Sequence, residues 1–89
     1  MFLKESDLEK FSSIEQAVID VIGKQSITLS DIASIVYKHQ KTKPLYPTSV
    51  ISSAIKRINL KAEMYQLNFR IRYKGGLGRG GRTFSINKI

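Results

Sequence analysis

LNFRIRYKGGLGRGGRTFSINKI, residues 67–89, is the stretch on which the fold turns. Leu67, Phe69, Ile71 and Tyr73 alternate with Asn68, Arg70 and Arg72. A period of two marks a strand with one buried face, and Tyr73, which continues the inward set, belongs with the core. Five glycines then fall within the nine residues 74–82. Residues 83–89 read as a second strand, with Phe84 and Ile86 on one face. Strand, glycine loop and strand make a β-hairpin with a long tip.

Upstream of the hairpin the apolar spacing becomes helical. Residues 12–24 predict a helix: Ser12 followed by Glu15 fits a capping box, with Ser13 and Gln16 as an overlapping alternative. Its expected buried face is Ile14, Ala17, Val18, Val21 and Ile22, and Gly23 supplies the stop. The preceding Phe2, Leu3, Leu8 and Phe11 suggest a short extra helix capped by Ser6, within an N-terminal extension (1–12) that covers the core or serves a dimer contact. Residues 27–29 are a short β-prone piece. Thr28 or Ser30 then caps a second helix running to about Gln40, with Leu29, Ile32, Ile35 and Val36 inward. Three lysines and two prolines in residues 38–47 break that pattern. A third helix begins near Pro47, a residue suited to a first helical turn. It buries Val50, Ile51, Ala54, Ile55 and Ile58 and presents Ser49, Ser52, Ser53 and Lys56, with Arg57 at the flank. The expected class is α+β, three helices followed by a C-terminal β-hairpin, as a single domain over 1–89.

The charge is segregated. Residues 1–37 hold three lysines against six acids, or −3, and residues 38–89 hold twelve Lys or Arg against Glu63 alone, or +11, which sum to the net +8. A one-sided positive field attracts phosphate polymers or anionic lipid, with simple solubility as the alternative explanation. The chain has no cysteine and one histidine, His39, so no disulfide, metal site or cofactor is expected. The acidic start lacks the character of a signal peptide, and no apolar run approaches the roughly 20 residues of a membrane span. The expectation is a protein that is not secreted and has no membrane partner, cytoplasmic (nucleoid-associated) or nuclear.

The order helix, short strand, helix, helix, hairpin resembles the winged helix-turn-helix superfamily. The resemblance covers residues 12–89 and is carried by ITLSDIA (27–33) entering the second helix, residues 49–60 as the third, and the hairpin 66–73/82–88. It implies a fold in which the third helix enters the DNA major groove and the hairpin, or wing, touches backbone or minor groove. Ser49, Ser52, Ser53 and Lys56 would then occupy recognition-helix positions and Arg79 the wing tip. Two features depart from the pattern. The connection between the second and third helices is about eight residues against the usual 3–4. The exposed face of the third helix is rich in serine and poor in the Arg, Asn and Gln that make bidentate base contacts, so modest sequence specificity is expected.

The candidate nucleic-acid-binding residues are therefore Lys41 and Lys43 in the basic loop, Ser49, Ser52, Ser53, Lys56 and Arg57 on the third helix, and Arg70, Arg72, Lys74, Arg79 and Arg82 on the wing. Each has a bland counterpart. The loop lysines suit a solvated surface, Lys56 and Arg57 complement a helix dipole, and the glycines suit turn geometry. GLGRGG (76–81) matches G-x-G-x-x-G, but a strand follows it instead of a helix, so a dinucleotide site is rejected, and the P-loop pattern fails for the same reason. Tyr65 would stack on bases if exposed, but a platform of two or three exposed rings is not evident. The acids show no catalytic pairing, and Ser53 with Lys56 on one face is coincidence more readily than a dyad, so no enzyme is expected. The expected function is that of a small basic DNA-binding protein, a transcriptional regulator or an architectural or accessory factor. Duplex DNA stands ahead of RNA as partner. The alternative is an adaptor that binds an acidic protein or forms a homodimer through the same scaffold.

Overall fold

The computed structural model describes residues 4–38, 40–75 and 82–88. Phe2, Leu3, His39 and Arg79, all singled out above, lie outside the described residues. The elements run α1 (Glu5–Leu8), α2 (Ser13–Lys24), β1 (Ile27–Thr28), α3 (Leu29–Val36), α4 (Pro47–Met64), β2 (Phe69–Lys74) and β3 (Thr83–Lys88). The class is α+β.

α2 starts where the capping box places it. Ser12 Oγ accepts from the Glu15 N–H at 3.3 Å, and a Glu15 carboxylate oxygen accepts from the Ser12 N–H at 3.0 Å. The buried side differs from expectation: Glu15, Val18, Ile19 and Ile22 are buried, while Ile14, Ala17 and Val21 are half-buried. At about 100° per residue this is a rotation of nearly a quarter of a turn, and it brings the Glu15 side against α4. Gly23 does not stop the helix, which continues to Lys24. The chain leaves through Gln25 in extended conformation (φ −168°, ψ 160°) straight into β1, so no left-handed residue is needed. Nor does Ser6 cap α1, which begins at Glu5 after Lys4 with no side-chain cap.

Thr28 caps α3, its hydroxyl accepting from the Asp31 N–H at 3.2 Å. α3 ends at Val36, short of Gln40, because Tyr37 turns out of the helix (φ −99°, ψ 8°) and buries its ring. The inward arc holds Ile32, Ala33 and Tyr37, with Leu29 and Val36 packed beside them. Ile35 falls about 60° to the other side of Ile32 and is 46% exposed, contrary to its expected inward role.

α4 opens with Pro47 in its first turn and buries Ile51, Ala54, Ile55, Ile58 and Ala62. It runs to Met64, four residues beyond the predicted end. Its close is a Schellman turn: the Leu67 N–H bonds to the Ala62 carbonyl at 2.8 Å and the Gln66 N–H to the Glu63 carbonyl at 3.2 Å. Gln66 takes the left-handed conformation there (φ 56°), a site that glycine more often fills.

β2 and β3 form the hairpin, in antiparallel register Phe69↔Lys88, Ile71↔Ile86 and Tyr73↔Phe84. β1 joins the other edge of β3 through Ile27↔Phe84 and Thr28↔Thr83, which gives the order β1-β3-β2. Phe69 and Ile71 close the core beneath the helices. Tyr73 does not: it is 54% exposed, since the hairpin has by then run past the helices that cover its root.

The outer edge of β2 is sealed by a side chain. Asn59 of α4 donates from Nδ2 to the Ile71 carbonyl at 3.0 Å and accepts from the Ile71 N–H at 2.8 Å. One amide thereby replaces a neighbouring strand, and it locks the hairpin to α4. Asn59→Leu is expected to destabilise the domain by about 1–2 kcal/mol, since two half-buried backbone groups lose their partners. The Ile71 amide should lose hydrogen-exchange protection ahead of the other β2 amides. Retained protection at Ile71 would show that the clamp is dispensable.

Candidate nucleic-acid interface

Two surfaces collect most of the described candidate residues. The first is the outward face of the hairpin, where Arg70, Arg72 and Lys74 alternate along β2. Each lies about 7 Å from the next, and they sit opposite Asn87, Ser85 and Thr83 of β3. No acid stands across from them. Arg72 and Lys74 are exposed. Arg70 is half-buried, and its guanidinium folds back to donate to the Phe69 and Leu67 carbonyls at 2.6 and 3.0 Å. Gly75, just beyond, takes φ 88°, which lets the chain leave β2 without a Cβ clash.

On the other side of the hairpin, Tyr73 pairs with Phe84 (ring centroids 6.0 Å apart), and the Arg82 guanidinium lies 4.6 Å over the Tyr73 ring. Stacking holds a planar guanidinium in place while leaving its N–H donors available. Arg82 is thus pre-ordered for an anion at lower entropic cost than a free side chain.

The second surface is the outer face of α4 with the loop before it. Ser49, Ser53 and Lys56 are exposed there and Ser52 is half-buried. Lys41 and Lys43 are exposed in the loop. Pro44, Leu45, Tyr46, Ser49, Val50, Ser53 and Arg57 line a shallow groove of about 470 Å³ along the first turns of the helix. Further along the same face, Leu60 and Met64 are exposed.

Arg57 has an internal role as well. Its Nε donates to Glu15 at 3.0 Å, and the Lys61 ammonium meets the other oxygen of that carboxylate at 2.6 Å. Glu15 is 1% exposed, and Lys61 also lies 5.7 Å over the ring of buried Phe11. Burial pushes the Glu15 carboxyl up, but hydrogen bonds from Lys61, the Ser12 N–H and Arg57 outweigh it and hold the group below its ordinary value. One carboxylate against two cations leaves an excess positive charge at the groove. Glu15 and Asn59 are the positions organising this surface whose partners sequence reasoning missed. The capping box accounted for Glu15 locally, and its partners stand 42 and 46 residues away.

Among the described residues, the cations from 38 onward other than Arg57 and Lys61 make no ion pair. Among the same residues, no cluster of three His, Asp or Glu could hold a metal ion, and no helix is long and apolar enough to cross a membrane. No family model, curated protein or solved structure matches this chain.

Proposed function

We propose that the chain is a winged-helix DNA-binding module that engages duplex DNA through α4 and the β2–β3 wing. The observation that carries this reading is the unneutralised charge: Lys41, Lys43, Lys56, Arg72, Lys74 and Arg82 are exposed and have no acidic partner among the described residues. Such a surface gains counterion-release free energy from a polyanion. The sheet order β1-β3-β2 behind three helices fits the winged arrangement, and the Asn59 clamp makes helix and wing one presenting body.

The role is binding, with no chemistry performed. α4 offers serines, Lys56 and the exposed end of the Arg57 guanidinium, whose Nε is tied to Glu15, while Asn59 is engaged within the fold. Most affinity would therefore come from phosphates, as in an architectural or accessory factor, and sequence discrimination would be modest. The site of action would be the nucleoid or the nucleus.

Titration of the labelled protein with a short duplex, followed by amide NMR, tests the assignment. Shifts should concentrate at residues 41–56 and 70–83 and spare α2. Shifts confined to α1 and α2 would overturn it. Exposed Leu60 and Met64 favour a second reading, a protein contact on the distal half of α4. That reading predicts self-association or capture of a protein partner that is indifferent to salt.

A further inference from the structure

The groove at the start of α4 is built unlike the rest of the basic surface. One wall is apolar and strongly exposed, with Leu45 at 83% and Tyr46 at 67%. The lining also includes Ser49, Ser53 and Arg57, whose Nε is held 3.0 Å from Glu15. Tyr46 makes no side-chain cap hydrogen bond to α4. Leu45 and Tyr46 also lie on the chain between Asp31 and Glu63, a span without any acid that holds Lys38, Lys41, Lys43, Lys56, Arg57 and Lys61.

A ligand that suits this groove has a flat apolar face and a negative charge a short distance from it. A nucleotide has both. A base inside a duplex presents only its edge, because its faces are covered by stacked neighbours, so an exposed ring is of use only to a base that is unpaired. We propose that the groove takes one unpaired nucleotide, with its base stacked on Tyr46 and its phosphate held by Arg57, Ser49 and Ser53. The preferred target is then duplex DNA that ends in, or is interrupted by, a short single-stranded segment. This rests on the DNA-binding reading and narrows it to a class of substrate. It also gives α4 a use for an outer face that is poorly equipped to read base edges.

The test compares a labelled blunt duplex with the same duplex extended by an overhang of about five nucleotides, by fluorescence anisotropy at about 50 mM salt. Wild type should bind the overhang duplex at least about fivefold tighter, the lower end of what one stacked base contributes. Tyr46→Ala should remove that preference, bringing the two duplexes to the same affinity. Because the chain has no tryptophan, Tyr46→Trp installs a single reporter. Its emission should be quenched by the overhang duplex and not by the blunt one. Equal wild-type affinity for the two duplexes, or equal losses on both in Tyr46→Ala, overturns the groove assignment while leaving DNA binding intact. Absence of binding to either duplex overturns the underlying reading. Quenching of the same tryptophan reporter by an acidic peptide under those conditions would pass the groove to a protein partner.

Discussion

Replacing Glu15 with Gln is expected to lower stability by about 2–3 kcal/mol and to bring the melting temperature down by roughly 10–20 °C. The substitution keeps the volume of the side chain, so no cavity is created, and the effect isolates the charge. Glu15 is buried between Arg57 and Lys61, at 3.0 and 2.6 Å. Breaking a fully buried pair costs about 3–5 kcal/mol. The expected loss is smaller because the side chains of Arg57 and Lys61 keep 49% and 30% of their exposure and are screened by water.

The same carboxylate sets a pH dependence. Its folded pKa lies below the ordinary value, because the hydrogen bonds from Lys61, Ser12 and Arg57 outweigh burial. Protonation is therefore harder in the folded state than in the unfolded one. The stability that Glu15 contributes is present above the unfolded pKa of about 4.3 and is lost as pH falls through the folded pKa beneath it. Wild type and Glu15→Gln should differ most near neutrality and converge in acid. Urea unfolding of both proteins across that range checks the sign. A difference that stays constant into acid would mean the pair contributes packing alone.

The second large effect concerns binding. The combined variant Arg72→Ala, Lys74→Ala, Arg82→Ala removes three exposed cations from the wing while leaving the buried residues of the hairpin in place. Affinity for duplex DNA should fall roughly a hundredfold at low salt, and the slope of log affinity against log salt should become shallower by about 2–3, near one unit per lost phosphate contact. A control of equal charge, Lys4→Ala, Lys10→Ala, Lys24→Ala, alters the acidic half and should stay within about threefold of wild type, because screening confines each charge to its own neighbourhood. Equal losses in the two variants would show that net charge, and not the wing, governs binding.

Much of this architecture is legible in the residues taken locally. The Ser12–Glu15 box, Pro47 at the start of α4, its apolar stripe and the change of period after Gln66 each act within a few residues of themselves. What escapes local reading is set by distant partners. Ile27 pairs with Phe84 on β3, so the two-residue strand gains its meaning only once the hairpin is formed. Asn59 has the look of an ordinary helix-surface residue until the backbone of Ile71 arrives beside it. Tyr73 obeys the alternation of a buried strand, yet alternation fixes the side of the sheet and not how far the helices extend over it. Ile35 of α3 is exposed against expectation, and Ile19, outside the expected face of α2, is buried, for a related reason: a helix rich in apolar residues has more than one eligible face, and its neighbours choose among them. The candidate site was legible as a charge pattern, whereas the ordering of Arg82 on Tyr73, the return of Arg70 to its own backbone and the tethering of Arg57 to Glu15 are products of the fold.

The most direct test of the central claim is the affinity of the unmodified protein for a short blunt DNA duplex, measured by anisotropy between about 50 and 200 mM salt. Contacts from the wing and the outer face of α4 predict a linear decline of log affinity with log salt, steeper than about −3. Absence of binding at the lowest salt, or affinity that ignores salt, would contradict the account.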